Sequence, residues 1–116
     1  MNLDIDIEMV KDVLLLKEHE EEKKITLEQV AKAASLHFKI PLADLKSKSR
    51  TKNIANARFI AMYLSRKLVN ATHEEIGKFY GGRDHSSVVH AEQKITKQLT
   101  TDTALSKDVM TIENHL

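Results

Sequence analysis

One segment constrains the fold more than any other, and it contains a pair of glycines between Ile76 and Val88. Gly81 and Gly82 can adopt positive φ or allow close backbone approach, as a tight turn requires. Four hydrogen-bonding side chains then open a helix that is predicted to continue to about residue 99: Asp84, His85, Ser86 and Ser87. A helix needs only one cap there, whereas a recognition helix contacts base edges with several N-terminal residues. The segment therefore predicts a helix-turn-helix.

Composition predicts a single all-α domain. The chain has 116 residues, 4% aromatic residues, one proline and three glycines, so a modest core of aliphatic side chains on helices is expected. Because there is no cysteine, a disulfide framework and a cysteine-based metal site are excluded. No apolar run approaches 18 residues, and no basic segment leads into an apolar one. Neither a membrane span nor a signal peptide is predicted.

Charge divides the chain into two parts. Residues 1–24 carry eight acids and four bases, whereas residues 25–116 carry fourteen bases and nine acids. Between Leu45 and His73 there are seven bases and no acid. Such a block indicates either an anionic partner or a solvated face. We predict a connector helix and acidic linker over 1–24, with the apolar stripe Met9, Val13 and Leu16, and a compact domain over 25–116.

Helix boundaries in the compact domain follow from capping and periodicity. Capping-box spacing at Thr26 and at Thr72 predicts two helix starts, and Thr101 or Asp102 is expected to cap a last helix. Pro41 is expected at N1 of a one-turn helix over 42–45, followed by a basic loop over 46–53 and a long helix over 54–69. The predicted core positions are Leu27, Val30, Ala34, Phe38, Ala57, Ile60, Ala61, Leu64, Leu68, Ile76, Phe79, Val88, Ala91, Ile95, Leu99, Leu105, Val109 and Ile112.

The polar row at the start of the recognition helix has the chemistry of base readout. An acid facing DNA repels phosphates, but at a helix tip Asp84 can accept a hydrogen bond from cytosine N4. His85 can donate to a base or pack on a thymine methyl, and Ser86 and Ser87 can reach a base or a phosphate. Taken singly, Asp84 or Ser86 is better explained as an N-cap, and His85 as an exposed side chain. Four such residues behind a glycine turn favour DNA recognition.

The basic loop complements that helix. Lys46, Lys48, Arg50 and Lys52 alternate with short polar residues, so an extended loop can direct some of them at a duplex. Arginine suits a narrow, A/T-rich minor groove, and lysine suffices for phosphates. A solvated loop is the alternative for any single lysine.

In these residues the chain resembles the C-terminal DNA-binding domain of the bacterial replication initiators of the DnaA family. Ile76-Gly77, Phe79 and the run from Gly82 to Val88 match its signature, and the resemblance covers about residues 25–100. It implies a six-helix domain with a helix-turn-helix, related to the Trp repressor DNA-binding fold. It also implies binding to double-stranded DNA at short asymmetric boxes of the type TTATNCACA in replication initiation, in a cytoplasmic, nucleoid-associated protein.

The resemblance implies a role for each matching residue. Arg50 enters the minor groove, and the major groove is read by Asp84, His85 and Ser86. Phosphate contacts are implied for Lys48, Lys52, Ser87 and His90. Arg83 either contacts a phosphate or braces the turn formed by Gly81 and Gly82.

Some positions depart from the family pattern. Glu74 stands where the family often has proline or another uncharged residue close to the DNA. Asn56 and Ala57 replace the common Arg-Pro at the start of the long helix, and Ser86-Ser87 replaces the frequent Thr-Thr. We expect the box to be recognised, and two effects of these departures stay open: a weaker phosphate contact or a shifted preference at one edge of the box.

Comparison with the regions that precede this domain in full-length members of the family predicts which partners and cofactors this chain has. Residues 1–16 resemble the end of the ATPase lid and the connector helix. There is no Gly-x-x-x-x-Gly-Lys-Ser/Thr loop, so no ATP or other cofactor is expected in this chain. The unpartnered stripe at Met9, Val13 and Leu16 favours an excised fragment over a stand-alone module. A monomer that also meets regulatory proteins of replication initiation is expected.

Two other classes of function are alternatives to DNA recognition. An enzyme or metal site is disfavoured, because His85 and His90 are five residues apart, a poor spacing for shared ligation on a helix, and no paired acids lie nearby. A protein-interaction module that binds replication regulators, with only non-specific DNA affinity, is the alternative. Membrane binding through residues 1–16 is disfavoured because they carry four acids and one base.

Overall fold

The computed structural model describes residues 24–116, and this part of the chain contains six helices and no strand. The helices are α1 (Leu27–Phe38), α2 (Leu42–Leu45), α3 (Lys52–Leu68), α4 (His73–Phe79), α5 (His85–Gln98) and α6 (Thr103–Asn114). The prediction of an all-α fold is confirmed. The connector helix predicted over 1–24 lies outside the described residues. None of the described helices is long and apolar enough to cross a bilayer.

Side-chain caps start three of the helices. Thr26 forms both halves of a capping box with Gln29, at 2.9 and 3.2 Å. The Thr72 hydroxyl accepts a hydrogen bond from the backbone N–H three residues later, at 3.1 Å. Asp102, not Thr101, caps α6 in the same way, at 3.0 Å. The predicted starts are confirmed at the residues that supply the caps.

Two predicted boundaries need correction. The long helix begins at Lys52, two residues earlier than expected, because the Thr51 carbonyl already accepts a hydrogen bond from the Ala55 N–H at 2.8 Å. The loop therefore ends at residue 51, and Lys52 belongs to the helix. Pro41 occupies the N-cap position of α2 rather than N1, and its carbonyl accepts from the Asp44 N–H at 2.9 Å.

Helix α3 is the centre of the domain, since it contacts each of the other five described helices. Most of the predicted core is buried, but five members are only half-buried: Leu27, Phe38, Leu68, Phe79 and Leu99. Met62 and Tyr80 are fully buried and were not predicted. Because α4 and α5 both pack on α3, the helix-turn-helix is held on one face of this central helix.

Candidate nucleic-acid interface

The turn between α4 and α5 depends on three glycines. Gly81 and Gly82 have φ of 97° and 72°, a region that disfavours other L-residues. Gly77 lies inside α4, where a Cβ would come within 2.2 Å of the Arg83 carbonyl oxygen. The absent side chain lets the Arg83 N–H donate to the Gly77 carbonyl at 2.8 Å. The turn therefore folds back directly onto the backbone of α4.

A basic groove lies between the loop over 46–51 and the first half of α5. Six of the predicted DNA-contact residues line it: Lys48, Arg50, Arg83, Ser86, Ser87 and His90. Phe59 and Met62 of α3 form part of its wall. The fold thus brings together the basic loop and the recognition helix, which are separated by more than thirty residues in the chain.

The polar row at the tip of α5 is exposed in all four members. Asp84 occupies the N-cap position, yet its side chain makes no capping hydrogen bond. Its carboxylate is therefore not used by the helix that it precedes. The Ser87 N–H donates instead to the Asp84 backbone carbonyl, at 3.0 Å. This geometry disfavours the interpretation of Asp84 as only an N-cap and leaves its acceptor oxygens to solvent or a ligand.

Two arginines, the buried Arg58 and the half-buried Arg83, hold the loop in place. Arg58 is 3% exposed, and its guanidinium donates to the carbonyls of Leu45, Ser49 and Asp44 at 2.9, 3.1 and 3.3 Å. Arg83 donates to the carbonyls of Tyr80 and Ser47, both at 3.1 Å. Burial lowers the pKa of Arg58, and the nearby Arg83 guanidinium lowers it further. Of the two roles considered for Arg83, the structure shows the bracing contacts.

A model of the family described as bacterial dnaA protein helix-turn-helix matches residues 27–95. The match covers more than half of the chain and includes α1 to α4 and most of α5. The chain belongs to the DnaA helix-turn-helix family. The expected resemblance to the C-terminal DNA-binding domain of the DnaA family is confirmed. The matched domain binds DNA in replication initiation and is a DNA-binding domain rather than a catalytic one.

Three predicted contact residues of this DnaA domain lie outside the groove. Asp84 and His85 are exposed at the tip of α5 and are not part of the groove lining. Lys52 lies at the start of α3 and lines a different depression, together with Asn56. The roles of these residues in DNA binding remain predictions.

Sequence reasoning overlooked several residues that shape this DnaA surface. Lys94 stands one helical turn beyond His90, and its ammonium lies 5.0 Å from the centre of the Phe59 ring. The His90 ring contacts the same phenyl edge-on, with ring centres 6.3 Å apart. The spacing of four residues between His90 and Lys94 was a usable signal, because it places both on one face of α5. Nothing in the sequence marked Phe59 as their shared platform.

Tyr80 was overlooked although it stands four residues after Ile76, a spacing that places both on the inward face of α4. It is fully buried, and its hydroxyl lies 2.9 Å from the Ser65 hydroxyl of α3. Burial raises the pKa of Tyr80 to about 12, although the hydrogen bond with Ser65 opposes that shift. The turn of the helix-turn-helix is thus anchored to the central helix. A second link, 2.8 Å between His73 Nε2 and Glu92 Oε2, joins α4 to α5.

Proposed function

We propose that this domain recognises TTATNCACA-like boxes in double-stranded DNA, with α5 in the major groove and the loop over 46–51 in the adjacent minor groove. One observation carries the proposal. The carboxylate of Asp84 lies exposed at the helix tip and makes no capping hydrogen bond to α5, and the neighbouring Ser86 and Ser87 line a groove together with the basic loop. An acceptor on a DNA-facing surface is costly unless it reads a donor. The major groove offers the amino groups of cytosine N4 and adenine N6, and cytosine N4 is the one that acidic side chains characteristically contact.

The remaining contacts divide by chemistry. His85 and Ser86 are exposed beside Asp84 and are proposed to read neighbouring base edges. Arg50 is exposed on the loop and is proposed to enter the A/T-rich half of the box, where a narrow minor groove attracts arginine. These four residues determine specificity.

Phosphate contacts supply affinity without base preference. Lys48, Ser87 and His90 line the groove and are proposed to contact phosphates there, and Lys52 is proposed to do so from the start of α3. If about six phosphates are contacted, affinity falls on the order of 10³-fold between 50 and 200 mM salt.

Fluorescence anisotropy tests the proposal. The 116-residue chain is titrated onto a labelled duplex with one TTATNCACA box and onto a scrambled duplex of the same composition, at physiological salt. Specific affinity for the box, exceeding that for the scrambled duplex by on the order of 10³-fold, supports the proposal. Equal, weak and salt-sensitive binding to both duplexes contradicts it. That result favours the alternative of a protein-interaction module that contacts replication regulators.

A further inference from the structure

The loop over 46–51 has no regular secondary structure, and its long-range hydrogen bonds within the described chain come from two arginines. Its other hydrogen bonds are local: the Ser47 hydroxyl, for example, donates to the Asp44 carbonyl at 2.6 Å and accepts from the Ser49 N–H at 3.2 Å. Such bonds connect residues no more than four apart, so they join the loop only to the adjacent ends of α2 and α3. Longer-range attachment of the loop comes from Arg58, which binds the Ser49 carbonyl, and from Arg83, which binds the Ser47 carbonyl.

We propose that Arg58 and Arg83 are positioning residues that fix the spacing between the minor-groove loop and the recognition helix, and thereby determine the length of the box that the domain accepts. This inference rests on the proposed function. It adds the side chains that hold the loop over 46–51 and α5 at a fixed distance from each other, so that both can contact the same box.

The positions of the bonded carbonyls support this assignment. Arg83 binds the carbonyl of Ser47, the residue before Lys48, and is itself the residue before Asp84. One side chain therefore connects the backbone beside a loop contact to the backbone beside a base-reading contact. Arg58 binds the carbonyl of Ser49, the residue before Arg50, and ties it to α3.

The turn also approaches the loop directly. A Cβ on Gly81 would lie 2.4 Å from the Lys46 carbonyl oxygen, so the turn and the loop backbone are in close contact. The Lys46 ammonium lies 4.1 Å from the centre of the Phe79 ring at the end of α4. The loop is thus fastened to the helix-turn-helix at its first residues and to α3 at Ser49.

Arginine is the residue type that this arrangement needs. Its guanidinium presents five N–H donors in a rigid planar fork, so one side chain can hold two or three carbonyls at once. Lysine keeps the positive charge but offers a flexible stem and a compact ammonium, and it cannot reproduce that geometry. Arg58→Lys and Arg83→Lys therefore remove the guanidinium hydrogen bonds to the backbone carbonyls, while they preserve both the net charge and the number of trypsin sites.

The test compares an intact box with a box that carries one extra base pair at the N position, between the A/T-rich half and the CACA half. The insertion moves the two halves apart by about 3.4 Å and rotates them by about 35°. For the unmodified chain we expect affinity to fall by about 10-fold or more, as when a specific base contact is lost. In Arg83→Lys and Arg58→Lys the intact box binds more weakly, and the insertion costs no more than about threefold.

Arg66 offers a matched control. It also donates to a backbone carbonyl, that of Ala71 at 2.9 Å, but at the far end of α3. Arg66→Lys should therefore retain the full insertion penalty. A merely structural role of Arg58 or Arg83 would weaken binding to both duplexes by the same factor and would leave their ratio unchanged. Should Arg58→Lys fail to fold in a thermal melt, the half-buried Arg83 carries the test alone.

Limited trypsin digestion provides a readout without DNA. Cleavage after Lys46, Lys48 and Arg50 should accelerate in both lysine variants and stay unchanged in Arg66→Lys. If a lysine variant still prefers the box and loses as much affinity on insertion as the unmodified chain, this inference is wrong and the proposed function stands. Unchanged trypsin cleavage in the lysine variants leads to the same conclusion. If the unmodified chain shows no preference for the box, both the proposed function and this inference are wrong.

Discussion

Asp84 and Asp102 offer a matched test of base readout against helix capping. Both stand at the N-cap position of a helix of at least twelve residues. Asp102 accepts a hydrogen bond from the Leu105 N–H at 3.0 Å, whereas the Asp84 side chain makes no capping bond. The two residues share a chemistry and a position and differ in whether the helix uses the carboxylate. Replacing each with alanine separates the two roles.

The expected magnitudes follow from that difference. Loss of a capping hydrogen bond costs about 1 kcal/mol of stability, so Asp102→Ala should lower the free energy of unfolding by that amount. Asp84→Ala loses no such bond and forfeits only an exposed, salt-screened interaction with the helix dipole, about 0.5 kcal/mol or less. In DNA binding the order reverses. Asp84→Ala should lose about 1–3 kcal/mol of discrimination between the box and a duplex altered at the contacted cytosine, whereas Asp102→Ala should lose none.

Urea denaturation and anisotropy titration of the two variants measure both quantities. The reasoning fails if Asp84→Ala destabilises the domain as much as Asp102→Ala and leaves discrimination intact, since Asp84 would then be an N-cap and nothing more. It also fails if Asp102→Ala changes base preference, because α6 would then belong to the interface.

Three further expectations follow from the same structure. Lys48→Ala should weaken binding to box and scrambled duplexes about equally and reduce the slope of log affinity against log salt by about 1, which salt titrations of both duplexes would check. Gly77→Ala places a Cβ 2.2 Å from the Arg83 carbonyl oxygen, so it should lower the free energy of unfolding by about 1–3 kcal/mol, and a urea midpoint equal to that of the unmodified chain would contradict the close approach. Because burial raises the pKa of Tyr80 from 10.0 to about 12, its protonated form contributes stability that is complete below pH 10 and is lost as pH rises towards 12, on the order of 2–3 kcal/mol in total. Tyr80→Phe should flatten that decline in denaturation curves measured between pH 9 and 12, and an identical decline in both chains would assign it to other groups.

Local rules predicted most of the helices because the relevant interactions lie within four residues in sequence. The capping box at Thr26, the side-chain cap at Thr72 and the periodic apolar positions of α5 and α6 are interactions of this kind. The start of α3 was misplaced by two residues because Thr51, at its N-cap, makes no side-chain capping bond that a sequence pattern could reveal. The hydrogen bond between the hydroxyls of Tyr80 and Ser65 joins residues fifteen apart, which periodicity cannot detect.

The candidate interface was predictable to the extent that exposed chemistry is visible in residue types. The polar row on α5 and the basic loop were both identified, and the structure places the two beside one groove. The different roles of the basic residues could not be predicted from the sequence. Arg50 and Arg58 belong to the same acid-free block, yet Arg50 is exposed whereas Arg58 is 3% exposed and bound to three carbonyls. Residue type alone could not separate them, because both are arginines in a basic segment.

The absence of acids between Leu45 and His73 has a second consequence, because the hydrogen bonds of Arg58 and Arg83 also depend on it. A positive surface for DNA requires only that the exposed residues of the block lack carboxylates. Arg58 and Arg83 impose a stricter condition, because a carboxylate attracts a guanidinium more strongly than a neutral carbonyl does. An acid in the loop would compete for their donors and draw them away from the carbonyls of Ser47 and Ser49. An acid-free segment therefore keeps the surface positive and also keeps the loop attached to the recognition helix.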